Sequence, residues 1–77
     1  MTGVTLDRAP LHTALRVSEL GGQGASRRRL AALGIRRGAH LVLLQATAGG
    51  GRLALVAGSR IALGAEVLKQ LRADLAE

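Results

Sequence analysis

The sequence is short, basic and free of aromatic residues. Its 77 residues carry 11 Lys and Arg against 5 Asp and Glu, a net charge of +6, and contain no Cys, Phe, Tyr or Trp. This length allows one domain, 1–77, and the missing cysteines exclude a disulfide or a Cys-based zinc site as its support. The sequence has no run of about 18 apolar residues that could span a membrane, and it lacks the pattern of a secretory leader. We therefore expect a cytoplasmic protein without membrane insertion.

The first predicted strand occupies residues 11–20. Leu15 and Val17 alternate there with polar neighbours, and this period of two is typical of a half-buried strand. Leu6, in the lead-in before the strand, is expected to lie in the core.

Residues 25–33 are predicted to form a short helix between glycine-rich breaks. Ser26 is the candidate N-cap, and Gly34 is placed to end the helix in the left-handed conformation. Leu30 and Leu33 share one face at helical spacing. We expect both to anchor the helix over the open end of the small barrel that the later strands predict.

Two β-compatible runs, 40–47 and 52–57, flank the glycine-rich turn 48–51 and predict a β-hairpin. Both runs are apolar on both of their faces. One face must fill the core, and the other must meet the C-terminal helix, a second copy or a partner. The pattern leaves these three coverings open.

Residues 59–63 predict a further strand, and 65–75 predict a C-terminal helix in which Leu68, Leu71 and Leu75 share one face. The order of elements favours a mainly β fold with short helices, built as a small, strongly bent barrel. The frequent glycines exclude an all-helical bundle, and the length excludes a doubly wound parallel sheet.

Two stretches resemble the signatures of the FeoA domain. Residues 29–38 read RLAALGIRRG, which is similar to an RLxxLGIxxG core, and residues 58–63 read GSRIAL, which is similar to a Gly-x-x-hydrophobic-Ala-Leu strand. With the hairpin between them, the resemblance covers residues 5–72. The motif residues, which we interpret as structural, are Arg29, Leu30, Leu33, Gly34, Gly38, Gly58, Ala62 and Leu63.

The resemblance implies an SH3-like barrel, with one short helix between the first strands and a C-terminal helix. It also implies a cytoplasmic, non-catalytic role in bacterial ferrous-iron uptake, with the FeoB-type membrane permease as partner through its cytosolic region. The same domain occurs at the C-terminus of iron-dependent repressors of the DtxR type. A free-standing regulatory domain is therefore the alternative. The hairpin turn departs from many relatives, which carry a Gly-Asp-Pro turn where this chain has AGGG.

The sequence carries no constellation for catalysis or stable metal binding. Its serines lack a base and an orienting acid at recognisable positions. His12 and His40 are the candidate metal ligands, but neither has further ligands at the close spacing of a metal site. We therefore expect no enzyme activity and no cofactor. A divalent metal such as Fe²⁺, at the surface or shared between two copies, is left open, although the ligand spacing does not support a site for it.

The positive charge favours an anionic partner. Nucleic acid is not the expected one, because the chain has no aromatic side chain on which single-stranded bases could stack. A barrel that reads duplex phosphates remains a further alternative.

The apolar residues of the hairpin, with nearby arginines as a rim, predict a docking surface for an acidic face of the permease. Association of two copies is left open. The residues that we assign to this surface are Val42, Leu44, Arg27, Arg28, Arg36 and Arg37.

Overall fold

The computed structural model describes residues 3–22 and 24–76. Six strands, two α-helices and one 3₁₀ turn follow one another along this part of the chain. In order they are β1 (Val4–Thr5), β2 (Ala14–Leu20), α1 (Gly24–Ala32), β3 (His40–Ala46), the 3₁₀ turn (Ala48–Gly50), β4 (Arg52–Val56), β5 (Ser59–Leu63), α2 (Ala65–Gln70) and β6 (Leu71–Leu75).

The strands form one antiparallel sheet in the order β1-β6-β2-β3-β4-β5. β1 and β5 lie at its two edges, so the sheet does not close into a complete barrel. Register shifts between Val17 and Glu19 in β2, and between Leu43 and Gln45 in β3, mark β-bulges. Bulges increase the twist and bend of a sheet, which lets this one wrap around its core.

Alternation along the strands divides the sheet into a buried and an outer face. Leu15 and Val17 of β2 are buried, as predicted, and so are Leu41, which pairs with Leu15, and Leu43 of β3. Both helices, the strands β2 to β6 and the connecting loops contribute buried residues to the core. Its members are Leu6, Ala9, Leu15, Val17, Leu30, Ile35, Leu41, Leu43, Ala54, Val56, Leu63, Leu68, Leu71 and Ala73.

The helix α1 ends in a Schellman motif centred on Gly34, as the sequence indicated. Gly34 has φ of +91°, its N–H donates to the Ala31 carbonyl at 3.0 Å, and the Ile35 N–H donates to the Leu30 carbonyl at 2.8 Å. Leu30 and Ile35 are buried and anchor this end of the helix.

Two details of the α1 prediction were wrong. Leu33 is 41% exposed, because the chain turns at Gly34 and Ile35 takes the buried position that was expected for Leu33. Ser26 lies inside α1, which begins at Gly24, so it does not occupy the predicted N-cap position.

The predicted C-terminal helix over 65–75 was also wrong in its second half. α2 ends at Gln70, Leu71 has the extended angles φ −112° and ψ 135°, and the chain continues as β6 between β1 and β2. Leu71 and Ala73 are buried there while Arg72 is exposed, which is the period of a strand. Helix propensity is a weak prior that tertiary pairing overrides.

Arg52 ties the long connection between β1 and β2 to the hairpin. Its Nη1 donates to the carbonyl oxygens of Leu6 at 3.1 Å and Ala9 at 2.6 Å, and the side chain is partly buried. Hydrogen bonds from a charged donor are worth about 1.5–3 kcal/mol. This arginine therefore has a structural role that the sequence did not reveal.

Arg52→Met is expected to lower the free energy of unfolding by about 1.5–3 kcal/mol, because the apolar stem remains while two carbonyls lose their donor. Urea denaturation followed by circular dichroism measures the loss. Arg60→Met, at an exposed position of the neighbouring strand β5, is the control and should change stability by less than about 0.5 kcal/mol. Equal midpoints for the two variants would contradict the role of Arg52.

The turn between β4 and β5 places a residue with a β-carbon in the left-handed region. Val56 pairs with Ser59, and the two residues between them, Ala57 and Gly58, have φ of 52° and 81°. Positive φ at both central positions is the signature of a type I′ hairpin turn, for which Asn-Gly is preferred.

Ala57→Asn should raise the free energy of unfolding by about 0.5–1 kcal/mol, because Asn tolerates the left-handed conformation that costs Ala roughly 1–2 kcal/mol. Thermal denaturation of the variant and the wild type compares the two. Gly58→Ala gives the opposite test and should destabilise by a similar amount. A destabilised Ala57→Asn protein would show that another conformation is populated at this turn.

Candidate interaction surface

The outer face of the sheet carries apolar side chains on the strands β3 and β4. Val42 of β3 lies opposite Ala14 on one side and Leu55 on the other, and Leu55 in turn faces Arg60. In the next row, Leu53 faces Ala62. We call the side chains of Val42, Leu44, Leu53 and Leu55 the apolar face.

The apolar face is partly accessible to solvent. Leu55 is 36% exposed, and the other three members are half-buried. Leu44 lies at the β3 bulge, between Leu43 and Gln45 in the register. Neighbouring apolar side chains that remain partly in water are available for burial by a partner.

The C-terminal segment does not supply the covering that the sequence left open. α2 packs against β1 and β6, which lie at the other side of the sheet order from β4 and β5. The rest of the segment is β6 itself. Of the three coverings considered from the sequence, a second copy and a partner remain.

The basic rim of the apolar face differs from the rim suggested by the sequence. Arg60 is paired across from Leu55, and Arg16 is paired with His40 in the row beside Val42. Arg16, His40 and Arg60 are all exposed. The two arginines give the face a positively charged border.

The four arginines named from the sequence are distributed over other parts of the surface. Arg27 and Arg28 are exposed on α1. Arg36 donates from Nη2 to the Ala31 carbonyl at 3.4 Å, at the end of the same helix. Arg37 lines a polar furrow beside Lys69. The structure therefore joins Val42 and Leu44 in one face but distributes the predicted rim between α1 and this furrow.

The polar furrow was not foreseen from the sequence, because it forms only when the C-terminal segment returns to the sheet. It has a volume of about 420 Å³ and lies where β2 ends, β6 begins and the turn before β3 passes. The residues that line it are Thr5, Glu19, Leu20, Gly21, Arg37, Lys69, Gln70 and Arg72.

The histidines lie on the surface, apart from any cluster of metal ligands in the described ranges. His12 has φ of 58°, and its backbone N–H donates to the Leu43 carbonyl at 2.7 Å. His40 faces Arg16. Within residues 3–22 and 24–76, no group of three or more His, Asp or Glu side chains converges on a point that could hold a metal ion.

The motif residues divide into buried and exposed sets. Leu30 and Leu63 are in the core. Gly34, Gly38 and Gly58 all have positive φ, between 81° and 91°, which explains why glycine stands at these turns. Apart from the glycines, the exposed motif positions are Arg29, Leu33 and Ala62.

No helix in the described part of the chain is long and apolar enough to cross a membrane.

Hydrogen bonding by the Thr5 side chain is the main influence on Asp7 and lowers the pKa of its carboxyl group.

Comparison with solved structures supports the SH3-like fold. A crystal structure of an iron uptake regulatory protein (FeoA) aligns with a TM-score of 0.85 at 20% identity, over 99% of this chain and 100% of that chain. The solution structure of FeoA from Chlorobium tepidum aligns with a TM-score of 0.86 at 21% identity, over 96% of this chain and 71% of that one.

The same fold occurs as part of a larger protein. The crystal structure of ScaR with bound Zn²⁺ aligns with a TM-score of 0.83 at 16% identity, over 95% of this chain but 37% of that chain. At these low identities the TM-scores show similarity of fold alone. The sequence matches no protein of curated function.

The family itself is established by the sequence. A family model described as FeoA domain matches residues 4–74, which includes both signatures, the hairpin and the strand β6 up to Asp74. With the fold, the left-handed glycines and this match in agreement, the chain belongs to the FeoA domain family.

Proposed function

We propose that this protein is a non-catalytic accessory of bacterial ferrous-iron uptake that binds the cytosolic region of a FeoB-type permease. Membership of the FeoA domain family supports the iron-uptake role. The apolar face supports binding, because β6 and α2 lie elsewhere and leave Val42, Leu44 and Leu55 partly in water. This uncovered face is the observation on which the proposal rests.

The chemistry of the face suggests the complementary surface. Burial of apolar side chains provides the affinity of most protein interfaces, and charges at the rim guide the approach and set the orientation. Here the centre is aliphatic and the border carries Arg16 and Arg60. The partner surface would therefore have an apolar centre with acidic residues around it.

A second function is favoured by the similarity to ScaR. The chain spans about a third of that metal-bound protein's length, 37%, so the equivalent of this domain there works beside other domains. A free-standing regulatory domain would contact a separate DNA-binding protein. In that case the apolar face would bind such a protein and would leave the permease unbound.

Leu55→Glu is expected to weaken binding to the cytosolic region of the cognate FeoB-type permease by at least about tenfold, because it places a carboxylate in the centre of an apolar interface. Isothermal titration calorimetry with the purified region measures the affinity. Leu33→Glu is the matched control, since Leu33 is exposed to a similar extent, 41% against 36%, but lies at the end of α1.

Equal loss of affinity in both variants would show that the apolar face is not the contact. No binding by the wild-type protein would contradict the permease as a direct partner. Capture of a DNA-binding regulator by the wild type, lost in Leu55→Glu, would support the second function instead.

A further inference from the structure

We propose that the polar furrow binds an extended acidic segment of polypeptide. The furrow lies at the α2–β6 junction and is separate from the apolar face. This inference does not rest on the proposed function, because it follows from the charge and shape of a different surface. It assigns a role to Arg37, Lys69 and Arg72.

The three cationic side chains reach the furrow from two sides. Lys69 and Arg72 lie on either side of the junction at which α2 becomes β6. Arg37 comes from the turn before β3. Lys69 and Arg72 are near neighbours in the sequence, whereas Arg37 lies far from both. Only the folded chain brings the three side chains together.

Backbone hydrogen bonds fix the walls of the furrow. The Gly21 N–H donates to the Gln70 carbonyl at 2.6 Å, and the Gly38 N–H donates to the Val17 carbonyl at 2.8 Å. The first bond joins the end of β2 to the end of α2, and the second holds the turn that carries Arg37. A site with fixed walls loses less entropy when a ligand binds.

The furrow has excess positive charge. Glu19 is the one acidic residue among the residues that line it, and its Oε1 lies 3.8 Å from the Arg72 Nε. Both side chains are about half exposed, 55% and 44%, and a pair this exposed contributes at most about 1 kcal/mol. Glu19 therefore offsets part of the charge of Arg72 and leaves Arg37 and Lys69 for an anionic ligand.

The shape favours an extended ligand over a single small anion. A second hollow of about 520 Å³ adjoins the furrow and shares Thr5, Lys69 and Arg72 with it. It continues past the edge strand β1 to Arg8. The linings of the two hollows together carry Arg8, Arg37, Lys69 and Arg72 against the carboxylates of Glu19 and Asp7. Adjoining hollows with this excess of positive charge suit carboxylates spaced along an extended chain.

Titration with a short synthetic peptide of alternating Glu and Ser, followed by ¹⁵N NMR on the labelled full chain, tests the proposal. Chemical shifts are expected to move at Thr5, Leu20, Gly21 and Gln70 and to weaken as salt is added. Arg37→Glu/Lys69→Glu should reduce the affinity at least about tenfold, because two attractive contacts become repulsive. Both positions are exposed, and preserved dispersion of the spectrum confirms that the variant is folded.

Arg27→Glu/Arg28→Glu is the matched control. It makes the same change in net charge on the exposed surface of α1 and should retain most of the affinity. Equal loss in the two double variants would show that the peptide responds to net charge alone and would overturn the proposal. The proposal would also fail if a Gln-for-Glu peptide bound equally well, or if inorganic phosphate alone produced the same shifts at the same concentration of charge.

Discussion

The pairing of β6 between β1 and β2 determines most of what this small domain presents to other molecules. Its register places Ala73 opposite both Val4 and Val17, and the burial of Leu71 and Ala73 fixes the strand against the core. Because residues Leu71–Leu75 join the sheet between β1 and β2, they do not form the predicted helix that would cross the outside of the β3–β4 hairpin. The same pairing brings Arg72 beside Glu19 and carries Lys69 to the furrow. One tertiary contact thus creates both candidate surfaces.

The two surfaces differ in the physical basis of the binding they would support. The apolar face gains free energy by removing aliphatic side chains from water, an effect that depends little on salt. The furrow depends on attraction between charges at an open surface, which salt screens over about 8–10 Å under ordinary conditions. A partner with an apolar patch and a separate acidic tail could occupy both surfaces at once. Added salt would then weaken the contact at the furrow and change the contact at the apolar face little.

The sequence predicted the mainly β architecture, the hairpin and the left-handed Gly34, because these depend on local alternation and on glycine. It failed where a residue's environment is set by distant parts of the chain. Leu71 and Ala73 lie in a stretch with good helix propensity, and only strands near the N-terminus make it extended. Arg52 could not be recognised as a structural residue, because the carbonyls of Leu6 and Ala9 approach it only in the folded protein. The furrow was missed for the same reason. The two-sided apolar pattern of β3, by contrast, was enough to place Val42 and Leu44 outside the core; their role in binding stays a prediction.

The claim on which the other conclusions depend is that residues 71–75 form a strand. Backbone chemical shifts for these residues, together with cross-strand nuclear Overhauser effects between Val17 and Ala73, measure this directly. If the strand forms, these residues have extended shifts, and Val17 and Ala73 lie close together. Helical shifts through Leu75, without that contact, would contradict the claim and would mean that the C-terminal segment is free to cover the apolar face.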